Sequence, residues 1–81
     1  MRADVLAQCR AEGLTFKQAV TRNVFCTPGA GSLNWNEIFG ALAEAGYSGW
    51  LVVEAEQDPA IYNAFEVSKA ARTFIRKVAG V

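Results

Sequence analysis

The chain has 81 residues, 52% of them hydrophobic, and no net charge, which excludes a nucleic-acid or polyanion binder built on a basic stripe. A chain this short buries only roughly 60% of the surface its unfolded form exposes, so this apolar composition implies surface meant for a partner or for the rest of a longer chain. No apolar run approaches the roughly 20 residues of a membrane span, the start carries Arg2 and Asp4 where a signal peptide would be apolar, and no histidine is present to act as base or metal ligand.

In chain order, Asp4 to Glu12 reads as a helix with Val5, Leu6 and Cys9 as its apolar stripe, Asp4 as cap and Gly13 after its end. Thr15-x-x-Gln18 is a capping box that starts a short helix over 16–21. Cys9 and Cys26 have no metal-like spacing; counting alone permits a disulfide, but reduced thiols of a cytoplasmic protein are the simpler expectation. Val24–Thr27 is a β-favouring run that opens into Pro28-Gly29-Ala30-Gly31-Ser32. Two close glycines allow positive φ and a near approach of backbone to a ligand, although a plain strand-to-helix connection would look the same.

Asn34 caps a helix over 35–45, with Glu37 three residues on and Trp35, Ile38, Phe39, Leu42 and Ala45 as its apolar face. Gly46 ends it. The run from Trp50 to Val53 is apolar at every position, as in a parallel strand buried on both faces, and a strand is expected over 50–54. The run ends in Glu54, Glu56 and Asp58 at alternate positions, which in an extended chain point the same way. Carboxylates at the C-terminal end of a buried strand are how open α/β sheets and barrels present acid/base groups or hard ligands for a divalent cation. Asp58-Pro59 also reads as the start of the last helix, and Glu56 as loop surface. That helix covers 64–79, capped by Asn63. Its buried face is Val67, Ala70, Ala71, Phe74, Ile75 and Val78, and Lys69, Arg72, Arg76 and Lys77 are solvated.

Strands alternating with helices predict an α/β fold with a βαβα order and two parallel strands, at 24–27 and 50–54. Two such strands leave bare sheet edges, so residues 1–81 read as a single partial domain cut from a larger α/β fold.

Phe25-x-x-Pro28-Gly29-x-Gly31, followed by Ala41-Leu42-Ala43-x-Ala45-Gly46-Tyr47-x-Gly49-Trp50-Leu51-Val52-Val53-Glu54-Ala55-Glu56-Gln57-Asp58-Pro59, resembles the C-terminal part of inosose dehydratases. These are lyases of inositol catabolism in the xylose-isomerase-like TIM-barrel superfamily, and Arg2–Val20 is similar to the family's segment before the Gly-rich loop. The resemblance implies the C-terminal portion of a (β/α)8 barrel. It also implies a hydro-lyase that removes water from 2-keto-myo-inositol with a divalent metal of the manganese or cobalt type, held by Glu, Asp, His and Glu. Glu54 matches the last of these ligands. Glu56 is implied as a catalytic or supporting carboxylate, and Pro28, Gly29 and Gly31 as the loop against the substrate. Two departures stand out. The other three ligands are missing, and Ala30 stands where the family usually has Asp. The expectation is therefore no dehydration and no bound metal for this chain alone. Two further readings are a piece of a sugar isomerase or epimerase of the same superfamily, and a non-catalytic module that oligomerises through exposed apolar surface.

Overall fold

A computed structural model describes every residue, Met1–Val81, and contains four helices and no sheet. They are α1 (Ala3–Glu12), α2 (Phe16–Thr21), α3 (Trp35–Glu44) and α4 (Ala64–Ala79). Local chemistry accounts for most of their ends. The Thr15 hydroxyl accepts from the Gln18 N–H while the Gln18 side chain accepts from the Thr15 N–H, so the capping box of α2 is complete. Asn34 and Asn63 accept from the N–H groups of Glu37 and Glu66, at 3.3 and 3.1 Å. Gly13 and Gly80 take the left-handed conformation that closes α1 and α4. The start of α1 differs from expectation. Asp4 lies inside the first turn, and Arg2 occupies the cap position without a side-chain capping bond. The Ser32 hydroxyl, from the far side of the Gly-rich loop, accepts instead from the Ala3 N–H at 3.0 Å.

The two expected strands, 24–27 and 50–54, do not form, and the α/β assignment is overturned: the chain is helical with long connections. Backbone from Val24 to Thr27 bonds to Arg2, Ala19 and Ala30, and never to the second run. Residues 48–57 make no backbone–backbone hydrogen bond at all. Strand propensity needs a lateral neighbour to become a sheet, and fewer than three strands hold together poorly in water. Yet 52–57 keeps the two-residue rhythm of an extended chain, although Leu51 before it is exposed. Val53, Ala55 and Gln57 are partly buried, whereas Trp50, Val52, Glu54 and Glu56 are exposed. Trp50 and Val52 are 88% and 79% exposed. Of the run that reads as buried on both faces, only Val53 is partly covered.

Only Cys9, Val24, Ala71 and Ile75 are buried. Cys9 and Val24 lie in the N-terminal part, where Phe16 and Phe25 pack with ring centroids 5.7 Å apart. Ala71 and Ile75 lie on the face of α4, which packs on α3; Trp35 meets Phe74 edge-on at 6.4 Å. Ala70, expected on that face, is exposed. The radius of gyration is 14.0 Å, against about 12 Å for a compact chain of this length. The accessible surface is 5963 Å², against about 4,800 Å² for a globular protein of this mass. Both cysteines are free thiols. No helix is long and apolar enough to cross a membrane.

One ion pair braces the N-terminal half. Arg22 donates two hydrogen bonds to Glu12, at 2.8 and 3.1 Å. The hydrogen bond, and then the charge, of the guanidinium lower the Glu12 carboxyl below its ordinary pKa of 4.5, and Glu12 in turn raises Arg22. A depressed carboxyl stabilises the folded state above its unfolded pKa, and that contribution disappears as pH falls through the folded value. Glu12→Gln is therefore expected to flatten the acid side of a urea-midpoint profile slightly, because the pair is open to water. A slope unchanged by the substitution would show that the pair contributes nothing.

Candidate functional site

The loop after Val24–Thr27 is a tight turn before it is anything else. The Ala30 N–H donates to the Thr27 carbonyl at 2.9 Å, with Pro28 and Gly29 between them and Gly29 at φ 92°. Proline then a positive-φ glycine is the residue order of a type II turn. Gly29 has a second constraint: a Cβ there would lie 2.5 Å from the Phe74 ring of α4. At Gly31 a Cβ would lie 2.5 Å from Cys26 Sγ and closer still to the Met1 carbonyl. Both glycines are thus required by packing within the chain itself.

Beside this turn is a cleft of about 320 Å³. Pro28, Trp35 and Phe39 line it together with the run Leu51–Glu54, Glu56 and Gln57. Of the residues expected to form a site, Glu54, Glu56 and Pro28 come together there, and Gly29 and Gly31 are not among its lining residues. Glu54 and Glu56 share the outward phase of the extended run. Asp58 has a different task. Its carboxylate accepts from the Ala60 N–H at 2.9 Å and its carbonyl from Ile61 and Tyr62, so it shapes the turn that leads to the Asn63 cap.

Two outward carboxylates over apolar walls can take up a proton or offer oxygens to a hard cation. They are too few to hold a divalent ion by themselves, and no group of three or more His, Cys, Asp or Glu comes together in the chain. Gln57 lies between the alternating acids and was not among the expected site residues. It lines the cleft with them, and its side-chain oxygen is buried without a partner.

No protein-family model matches the chain. The inosose dehydratase of Geobacillus thermodenitrificans is 48% identical over all 81 residues, which cover 27% of that protein. That of Yersinia enterocolitica is 44% identical over the same span, again 27% of its length. In Bacillus velezensis the inosose dehydratase is 42% identical over 74 residues, 91% of this chain and 25% of that protein. The whole chain is similar to one part of the inosose dehydratases. It spans about a quarter of the length of the curated relatives it matches.

Proposed function

We propose that this chain is the C-terminal part of a cytoplasmic inosose dehydratase, a metal-dependent hydro-lyase, and that it contributes one side of the active site. The observation that carries the reading is the cleft that Pro28, Glu54 and Glu56 share, in a chain similar to inosose dehydratases along its whole length. Glu54 is one carboxylate ligand for a divalent ion of the manganese or cobalt type. When bound, such an ion polarises a ketone and the hydroxyl beside it. Glu56, two residues further on the same outward phase, moves a proton at the carbon next to the ketone as water is lost. Pro28, Gly29 and Gly31 hold the loop in its turn so that it lies against a cyclic polyol ketone. The free thiols of Cys9 and Cys26 suit a reducing compartment.

The test is a chimera in which this chain replaces the matching segment of the Geobacillus thermodenitrificans enzyme. It is expected to dehydrate 2-keto-myo-inositol only with added metal, while the purified 81-residue chain releases no product. A folded, metal-loaded chimera without activity would sink the proposal.

Self-association is a second reading, favoured by the bare run at Trp50–Val53. The chain exposes roughly 1,000 Å² more than a compact protein of its mass, more than the roughly 800 Å² each partner buries in a stable complex. Under this reading the chain sediments as a dimer or larger species at micromolar concentration, and Trp50→Lys returns it to a monomer. Sedimentation of the unmodified chain as a monomer removes it.

A further inference from the structure

From Trp50 to Glu56 the chain runs without a bend or turn, and residues 48–57 make no backbone–backbone hydrogen bond. We infer that two copies of this chain join along this stretch as antiparallel strands, edge to edge, with the two-fold axis at Leu51. The inference rests on the self-association reading and deepens it, since it names the element, the edge and the register.

Tyr47 decides the edge. In an extended chain the N–H and C=O of one residue point to one edge, and those of the next residue to the other. The Tyr47 hydroxyl donates to the Trp50 carbonyl at 2.7 Å, so the edge that carries Trp50 and Val52 is already occupied by a side chain of the same molecule. The backbone groups of Leu51 and Val53 point to the opposite edge and have no partner there. The strand also has backing. Leu51 lines a groove of about 530 Å³ with Phe39, Leu42 and Val78 of α3 and α4, and Val53 lines a smaller one with Ile75. Packing against helices is what lets so few strands hold together in water.

Charge decides the register. A two-fold at Glu54 sets that carboxylate directly opposite its own copy, and a two-fold at Val53 leaves the two about 7 Å apart along the strand, where like charges repel. With the two-fold at Leu51, Glu54 stands opposite Ser48 of the second copy, and the two Glu54 carboxylates are about 20 Å apart along the strand, beyond the ~8 Å Debye length. The same register sets exposed Trp50 opposite exposed Val52, twice. An aromatic side chain facing a β-branched one is a stabilising cross-strand pair, and here it falls at the non-hydrogen-bonded positions, where side chains lie closest. A two-fold at Val52 forfeits this by placing Glu54 against Trp50. The roughly 1,000 Å² of surplus surface covers the roughly 800 Å² that each partner buries in a stable complex.

The experiment measures amide hydrogen exchange of the 81-residue chain by NMR, at a concentration where it sediments as a dimer and at one where it sediments as a monomer. The Leu51 and Val53 amides are expected to exchange at least about tenfold more slowly in the dimer, with the Trp50 and Val52 amides unchanged. Leu51→Pro removes the donor at the centre of the pairing, twice per dimer, and breaks no backbone bond of the monomer. It is expected to raise the dissociation constant roughly thirtyfold, and Leu51→Ala, which keeps the donor, by less. A dimer that protects Trp50 and Val52 instead, or none of these amides, overturns the strand pairing and leaves self-association standing. Equal dissociation constants for the two Leu51 variants do the same. A chain that stays monomeric at millimolar concentration leaves the run to a different polypeptide and removes both.

Discussion

Glu54→Gln in the chimeric dehydratase is expected to lower metal affinity at least about a hundredfold and to take the dehydration with it. The substitution keeps the shape of the side chain and one carbonyl oxygen but removes the charge that a hard divalent ion prefers. Glu54 lies where the apolar run ends, in the outward phase and against the cleft that holds Pro28. Its neighbour in that phase makes the internal control. Glu56→Gln should leave metal binding near that of the parent while kcat falls by about two to four orders of magnitude, the usual weight of a proton-transfer group. Metal titration with parallel assays separates the two. Unchanged affinity in Glu54→Gln would strike Glu54 from the ligand set, and an unchanged kcat in Glu56→Gln would do the same for its proton-transfer role.

The second large effect falls on stability. Gly29→Ala is expected to cost the chain about 3 kcal/mol, combining a left-handed backbone penalty with overpacking. The position requires φ 92°, and its added methyl meets Phe74, the ring that also packs edge-on against Trp35. The clash is with a side chain, so part of the loss is recoverable. Phe74→Leu alone removes aromatic packing and destabilises. Combined with Gly29→Ala it is expected to cost less than the two singles added. Strict additivity in urea melts would mean that the turn and α4 are not coupled through this contact.

The helices were legible because their instructions are local. Thr15 with Gln18, Asn34 with Glu37 and Asn63 with Glu66 each carry a boundary within four residues, and the stripe Trp35, Ile38, Phe39, Leu42 carries the packing face of α3. The strands were not legible in the same way. Val24–Thr27 and Trp50–Glu54 have the composition of strands, but a sheet is a property of neighbours, and the backbone of 48–57 finds none in this chain. Similarity to about a quarter of a longer enzyme gives that mismatch a physical reason. The acids of the cleft were legible from alternation after an apolar run. Gln57 was not, because period two assigns it away from Glu54 and Glu56, whereas a cleft at the end of an extended run receives side chains from both phases. The cap of α1 was also invisible: nothing near Ala3 hints that its partner is Ser32.

That cap ties the stability of one helix to a distant turn. The hydroxyl that closes the first turn of α1 lies 29 residues further along the chain. Without the Pro28–Ser32 turn in place, the first turn of α1 has an unmet donor and frays. A loop of that length closes at an entropic cost that rises only slowly with its size. Ser32→Ala should therefore raise amide exchange in the first turn of α1 while leaving α4, whose cap is its own, unchanged.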